Sequence, residues 1–494
     1  MTNFLKINRE FIKIALSWDD LTLRQQKDYL NKHPLSKKKL TGRPRSKTKE
    51  QQSIKLLSSI IKESPFANHA FLAGGFVRDE LLGKKSKDID ITVTALNGGI
   101  KLAEYISKKL GIREPVIFPT FGTAKIQLKN SVEVEFVQTR NEEYAKHSRK
   151  PKTSFGTIQE DVERRDFTIN SLLYDLTNNK TLDLTGKGLK DLNDGIIRTP
   201  LNPNITFNDD PLRMMRAVRF AVKYNFKFAD DIEPAIKTNA QELNFISAER
   251  IQDEFNKILL TNNPSRGLEI LKNTGLLKQF MPELLKLEGI EQGKFHYADA
   301  WTHTMDVLKQ SKPTLTDRLS AVFHDIGKAD TRTVTESGTH FYAHDDVSKN
   351  ITQDVMKRMK YPNDMINIVS KVVESHMRTR DSKTWSKASV RRFIRDMGPE
   401  LEHVLNLIEA DRMSHVADHT NMDEFIELKN RIKQLQEEKP IEQIKLPISG
   451  NEVMQILNIP QGPEVGKILN YLKDQLMQNP DMTKDEAIDL IKNN

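Results

Sequence analysis

Between residues 71 and 94, FLAGGFVRDELLGKKSKDIDITVT, an apolar run stops at two glycines, a short amphipathic stretch follows, and apolar alternation resumes at Asp88. The pattern predicts strand, tight turn, helix and strand. Upstream, residues 1–35 read as helical, with Phe4, Leu5, Phe11, Ile12, Ile14, Ala15 and Leu16 apolar, and 51–65 as a helix leading into this unit. Downstream, Ile100 to Leu110 reads as a helix. GTAKIQL (122–128) and VEVEFV (132–137) alternate about Lys129-Asn130-Ser131, which predicts a hairpin laid beside the strand that begins at Asp88. A polar stretch without periodicity runs from 140 to about 160 and reads as a long loop. VERRDFTINSLLYDL (162–176) then reads as a helix with Ile169, Leu172 and Leu173 inward, and 183–200 as turns with a short strand.

TFNDDPLRMMRAVRFAVKYN (206–225) predicts a helix capped by Asn208 or Asp209 and begun by Pro211. Residues 247–284 read as a pair of amphipathic helices, with Ser247 as a plausible cap and Ile251, Phe255 and Ile258 in the apolar stripe. From 296 on, most patterns are helical. ISGNEVM and GPEVGKIL, after the charged QLQEEKP, are turn-then-helix units.

Three constellations on these elements carry chemistry. Period-2 alternation puts Asp88 and Asp90 on one face, where two carboxylates can share divalent cations, a two-metal phosphoryl-transfer geometry. Gly74 and Gly75 let backbone approach a phosphate, and Arg78 on the next helix is placed to meet its charge. Glu133 and Glu135 share a face of the neighbouring hairpin; on base rates an alternating charge is solvated. Arg164 and Arg165, in the early turns of the helix expected at 162–176, oppose its dipole, which points to a compensating anion. Asp210, Arg213, Arg216 and Arg219 recur every third residue, so the row spirals and Arg219 falls almost opposite Asp210; ion pairing along the helix is the plain reading. Nine of the twelve histidines lie between His296 and His419. Separated helices converging on a bundle core can join them with carboxylates in a metal site.

Bulk composition narrows the classes. Lysine and arginine exceed aspartate and glutamate by 76 to 68, a net charge of +8 and a pI near 9.1, which favours an anionic partner, nucleic acid first. SKKKLTGRPRSKTKE (36–50) concentrates that charge, as a solvated linker or a tether for RNA phosphate. The absence of cysteine excludes disulfides, thiolate zinc sites and thiolate catalysis. No run approaches the ~20 apolar residues of a membrane span, and the start lacks a signal-peptide core, so a cytoplasmic protein without a membrane partner is expected.

GGFVRDELLG followed by DID resembles the signature of CCA-adding tRNA nucleotidyltransferases and the related bacterial poly(A) polymerases. The resemblance extends in order over roughly residues 65 to 485. EFVQTR resembles the strand carrying the third catalytic acid, which implies Glu135 beside Asp88 and Asp90, with Mg²⁺ in the head. RRDFTIN resembles the motif that holds the triphosphate, implying nucleotide contacts from Arg164, Arg165, Asp166 and Asn170, together with Gly74, Gly75 and Arg78. DDPLR resembles the motif whose Asp and Arg read the base edges of CTP and ATP, implying Asp210 and Arg213, with Arg216 and Arg219 beyond them. EEY…SR…P…FGT…ED is similar to the family's mobile loop, and ERIQDEF to a neck motif that meets the tRNA acceptor stem. The series His303, His324-Asp325, His344, His376, Asp411 resembles an HD metal phosphohydrolase. It implies His303, His324, Asp325 and Asp411 on one unidentified divalent metal, His344 and His376 on a second metal or the phosphate, and Lys328 or Arg378 on substrate phosphate.

The implied fold is an α+β nucleotidyltransferase head with a polymerase-β-like mixed sheet, then an all-α neck, an HD domain and a helical tail. The expected boundaries are a basic helical extension 1–50, head 51–200, neck 201–288, HD domain 289–433 and tail 434–494. The expected activity is template-free addition of C, C and A to the tRNA 3′ end, with 2′,3′-cyclic phosphodiesterase or related hydrolysis of RNA ends. The rivals are a poly(A) polymerase or partial A-adding or CC-adding enzyme, an HD hydrolase that uses the head for RNA binding, and a noncatalytic RNA-binding scaffold.

Overall fold

The structure, a computed structural model, describes residues 48–143, 152–292, 298–336, 338–415, 422–438 and 444–493. The helices expected over 1–35, nearly all of the basic linker, His296 and His419 lie outside the described residues. The chain forms two compact units, the first ending at Arg250 and including Asn273–Gln279, the second made of Ile251–Lys272 and Phe280 onward.

The first unit begins with α1 (Lys49–Lys62), started by a capping box in which the Thr48 hydroxyl accepts from the Gln51 N–H and Gln51 Oε1 accepts from the Thr48 N–H. Its sheet has seven strands: β1 (Ala70–Ala73), β2 (Ile89–Val93), β3 (Val116–Phe118), β4 (Thr123–Gln127), β5 (Glu133–Gln138), β8 (Leu173–Asp175) and β9 (Lys180–Leu182). The order is β3-β4-β5-β2-β1-β8-β9. It is mixed, because β2 runs parallel to β5 and every other pairing is antiparallel. Between β1 and β2 stands α2 (Gly75–Leu81), and after β2 comes α3 (Gly98–Leu110).

Alternation decides which face is core. Ile89, Ile91, Val134 and Phe136 are buried on the side covered by Leu102, Ala103 and Ile106 of α3. That leaves Asp90 and Glu135 on the other face. Close packing of α3 depends on Gly99, where a Cβ would stand 2.7 Å from the carbonyl oxygens of Gly122 and Phe136.

Several expectations are corrected. Residues 162–176 are not one helix: α4 (Ile158–Glu163) ends there, Thr168–Asn170 make a 3₁₀ turn, and 173–175 form β8. A Thr157–Glu160 capping box starts the helix earlier, and Asp166 turns its carboxylate onto the Phe167 N–H, 2.8 Å away, in competition with helix propagation. Leu173 and its neighbours then pair with β1, so a sheet partner overrides local propensity. Arg164 consequently caps the C-terminus of α4, where the dipole favours a cation.

The loop expected from 140 is partly ordered, since β6 (Arg140–Glu143) pairs antiparallel with β7 (Lys152–Phe155); 144–151 lie outside the described residues. The helix expected at 206–225 is two, α5 (Pro203–Asp209) and α6 (Leu212–Tyr224). Asn208 and Asp209 finish α5 instead of capping α6. Asp210, forced out of the helical region by Pro211 (φ −143°, ψ 99°), lies just before the Pro211 cap and accepts the Leu212 N–H at 3.2 Å.

Residues 247–284 resolve into Ala248–Leu259, Pro264–Asn273 and two short helices rather than a pair. The second unit is largely helical, with α7 (Ala300–Gln310), α8 (Leu315–Phe323), α9 (His344–Arg358), α10 (Asn363–Ser375) and α11 (Leu401–Met413) forming its bundle. A two-stranded ribbon, Arg332–Thr335 with Gly338–Phe341, interrupts the all-α pattern expected there. Three tail helices close over Val453, Leu472, Leu476 and Ile491. Among the described residues no helix is long and apolar enough to cross a membrane.

Candidate functional site

In the parallel β2–β5 pair Asp90 lies opposite Glu135, so the two carboxylates project side by side. Asp88 sits just ahead of β2 on the same cavity wall, and the cavity measures about 680 Å³. Burial raises the Asp90 carboxyl to about 6, helped by Glu135 and Asp88 and opposed by Arg165. Three carboxylates gathered so that they repel one another are a donor set suited to a hard divalent cation.

Facing them is a wall of arginines whose positions are held from behind. Asp161, 1 % exposed, accepts from Arg164 Nη2 at 2.6 Å through one oxygen and from Arg165 Nη2 at 2.9 Å through the other. One carboxylate serving two guanidinium groups leaves net positive charge directed at the cavity. Arg165 also donates to Thr92 Oγ1 and to the Asn170 carbonyl, both at 3.3 Å. Arg78 donates to Asp79 at 2.9 Å and to the Asn170 side chain; Asn170 in turn donates to Asp166, which accepts Arg216 at 2.6 Å. Behind this wall is the turn at Gly74, whose φ of +68° favours glycine and whose Cβ would press to 3.3 Å from Arg165. Gly74, Gly75, Arg78, Arg164, Arg165, Asp166 and Asn170 therefore line one cavity.

Asp210, Arg213, Arg216 and Arg219 line the same cavity. Because Asp210 is extended and α6 begins after it, Arg219 is not turned away from the site, which corrects the helical projection. Arg213 is buried, donating to the carbonyl oxygens of Arg164 (2.8 Å) and Thr206 (3.4 Å). Asp210 accepts Arg250 Nη2 at 2.9 Å. Arg250 and Asp161 are site residues that the sequence reading left outside the site. Asp161 was legible as the (i, i+3) and (i, i+4) partner of Arg164 and Arg165. Arg250 comes from 40 residues away and had no local signal.

Residues 70–198 match the family model "Poly A polymerase head domain", 225–287 "Probable RNA and SrmB-binding site of polymerase A", and 332–490 a tRNA nucleotidyltransferase domain 2. The CC-adding tRNA nucleotidyltransferase of Thermus thermophilus is 30% identical over 85% of this chain and 92% of its own. The chain belongs to the tRNA nucleotidyltransferase family. It is also 40% identical to the mitochondrial CCA tRNA nucleotidyltransferase of Candida glabrata, over 42% of each chain, so that match spans less than half of the yeast protein. In fold it resembles the Bacillus stearothermophilus CCA-adding enzyme in complex with CTP, with a TM-score of 0.66 at 21% identity, covering 90% of this chain and 98% of that one.

The helical unit holds a second cluster. His303 (α7), His324 and Asp325 (after α8), His344 (α9), His376 (after α10) and Asp411 (α11) converge. Asp325 divides them. Its Oδ2 lies 3.0 Å from His324 Nε2 and 3.6 Å from His303 Nε2, while its Oδ1 lies 3.4 Å from His344 Nε2 and 3.8 Å from His376 Nε2. Asp411 stands 2.9 Å from His303 Nε2. The Nδ1 atoms of His324, His344 and His376 each face a backbone carbonyl at 2.6–2.9 Å, those of Ala321, Phe341 and Val373. Donation there leaves the Nε2 lone pairs pointing inward, the arrangement a metal requires.

Burial works against the Asp325 charge, yet His324 and Lys328 hold its carboxyl well below the usual range; Asp411, likewise buried, is held low by His303. Burial lowers His376 to about 4, assisted by His324. Lys328 Nζ sits 2.6 Å from Asp325 Oδ2, and Arg378 is paired with Asp396 at 3.0 Å, so both expected phosphate ligands already have carboxylate partners. His415, absent from the expected set, lies 3.6 Å from Asp411.

Proposed function

We propose that the head transfers nucleotidyl groups from CTP and ATP to the 3′ end of tRNA, adding C, C and A without a nucleic-acid template. The observation that carries this reading is the single cavity in which Asp88, Asp90 and Glu135 face Arg78, Arg164 and Arg165, with Asp210 and Arg213 on the same wall. Asp88, Asp90 and Glu135 would hold Mg²⁺, which when bound acidifies the attacking 3′-hydroxyl and screens the phosphates. The chain's own work is positional and electrostatic. Arg164 and Arg165, locked by Asp161, and Arg78, locked by Asp79 and Asn170, meet the charge that builds on the phosphates as pyrophosphate leaves. Asp210 accepts from, and the Arg213 fork donates to, a base edge, so that C and A are read by protein groups rather than by pairing.

The experiment incubates the protein with Mg²⁺, a tRNA lacking CCA, and CTP and ATP separately and together. Growth by three nucleotides that needs both supports CCA addition; a long ladder with ATP alone makes it a poly(A) polymerase; growth that stops after C or requires a CC end makes it a partial enzyme.

A second reading concerns the other unit and rests on two adjoining His/carboxylate groups, His303, His324 and Asp411 beside Asp325, His344 and His376. It is an HD-type site for divalent metal that hydrolyses phosphate from RNA ends, including 2′,3′-cyclic phosphates. Release of phosphate from a 3′-phosphorylated RNA, or ring opening of a 2′,3′-cyclic end, on adding Mn²⁺, Ni²⁺ or Mg²⁺ tests it; no turnover with any of them sinks it.

A further inference from the structure

Nucleotide phosphates occupy the arginine wall in the function proposed above, and a group of lysines beside that wall is left without a task. Phe220 and Tyr224, one turn apart on α6, stack with centroids 5.9 Å apart. Lys84 Nζ lies 4.4 Å and Lys223 Nζ 5.1 Å from the Tyr224 centroid, with the Arg78 guanidinium 4.9 Å away. Desolvation lowers the pKa of both ammonium groups, and Asp79 is the carboxylate that opposes this in each case. Neither lysine makes an ion pair among the described residues. An ammonium held on a ring, partly desolvated and without a carboxylate in contact, is a preorganised anion receptor.

Lys84 opens a run along the Gly83–Lys87 segment that includes Lys85 and Lys87. Ser86 lines the nucleotide cavity and also a neighbouring one of about 780 Å³, whose wall carries Lys49, Lys84, Lys85 and Lys87 against Glu50 and Glu80. Glu80 is occupied by the Gln51 amide at 3.0 and 3.2 Å. A nucleoside triphosphate bears its charge in one compact block, which the arginines match with forked donors. Lysines spread over two adjoining cavities match charge repeated along a strand, and as point charges on flexible stems they neutralise backbone without reading sequence.

We propose that Lys84, Lys85 and Lys87, with Lys49 and Lys223, form an RNA-backbone subsite that takes phosphodiester groups of the strand whose 3′ end lies at the Asp88/Asp90/Glu135 carboxylates. It rests on the nucleotidyl-transfer reading of that cavity. Its test uses the full chain, a tRNA lacking CCA, and the variant K84Q/K85Q/K87Q beside K84R/K85R/K87R. In the glutamine variant KM for tRNA rises at least fivefold while KM for CTP stays within twofold, and the arginine variant restores tRNA affinity. Direct tRNA binding by fluorescence anisotropy, which needs no catalysis, becomes less salt-dependent, the slope of log K against log salt falling by about 0.7–0.9 for each phosphate that the variant no longer neutralises. A rise in the KM for CTP with that for tRNA unmoved overturns the proposal, as does an unchanged salt slope. A wild-type chain that binds tRNA yet adds no nucleotide would refute the transfer reading, while the salt slope would still decide the subsite.

Discussion

The two carboxylate-bearing sites compensate their charge in opposite ways. In the head, burial raises Asp90 to about 6, and its neighbours Glu135 and Asp88 push the same way. In the helical unit, burial also opposes the charges of Asp325 and Asp411, yet their carboxyls are held low, by His324 and Lys328 around Asp325 and by His303 beside Asp411. Carboxylates crowded together, with arginines only across the cavity, favour an outside cation, whereas a site that interleaves acids with nitrogen bases balances its own charge.

Separate catalysis by the two sites is the sharpest consequence. Asp90→Ala should lower nucleotide addition roughly 10³-fold or more and leave RNA-end hydrolysis intact, and Asp325→Ala should do the reverse. A folded variant in which either change removes both activities would break the comparison.

Asp161→Ala comes next, because it leaves two guanidinium groups facing a buried gap. Denaturant titration should show a loss of about 3 kcal/mol, and KM for CTP should rise; a variant as stable as wild type would mean that the arginines are held by their other bonds.

The pH responses should then have opposite signs. Asp90, raised to about 6, binds a proton more tightly in the folded head, so its contribution to stability is full below pH 4 and is lost as pH rises through 6. In chelator at pH 8, Asp90→Asn should therefore stabilise the head by about 2–3 kcal/mol, with the gain vanishing at pH 4. His376, lowered to about 4, contributes stability that is present above pH 6.5 and is lost as pH falls toward 4. His376→Gln should flatten that acid limb of the second unit's melting curve. Equal slopes in variant and wild type would refute this account.

The smallest effect belongs to Tyr224→Phe, which removes the 2.8 Å hydrogen bond to Asp79 behind Arg78. It should cost about 1 kcal/mol of stability and slow addition a few-fold.

Local pattern carried far where spacing and geometry coincide. The strand–turn–helix–strand unit, the hairpin and the Asp88/Asp90 face were legible because a period of two leaves no choice of face once one side is apolar. The His–Asp series was legible as a set because few other uses explain histidines so concentrated. Failures fell where one stretch had two uses. Leu172 and Leu173 fit a buried helix or a strand equally well, and the free edge of β1 decided for a strand. DDPLR looked like one helix start until Pro211 pushed Asp210 into an extended conformation.

By itself, then, the sequence determined the element types around the glycine turn, the face that Asp88 and Asp90 share, and the charge that favours an anionic partner. Only the tertiary structure decided the register that sets Glu135 opposite Asp90, that Arg250 closes on Asp210, and that Asp325 offers one oxygen to each pair of histidines. The reason is range: alternation and helical spacing act over a few residues, while sheet register and helix convergence join residues 40 or more positions apart, as in Asp90 with Glu135 and Asp210 with Arg250.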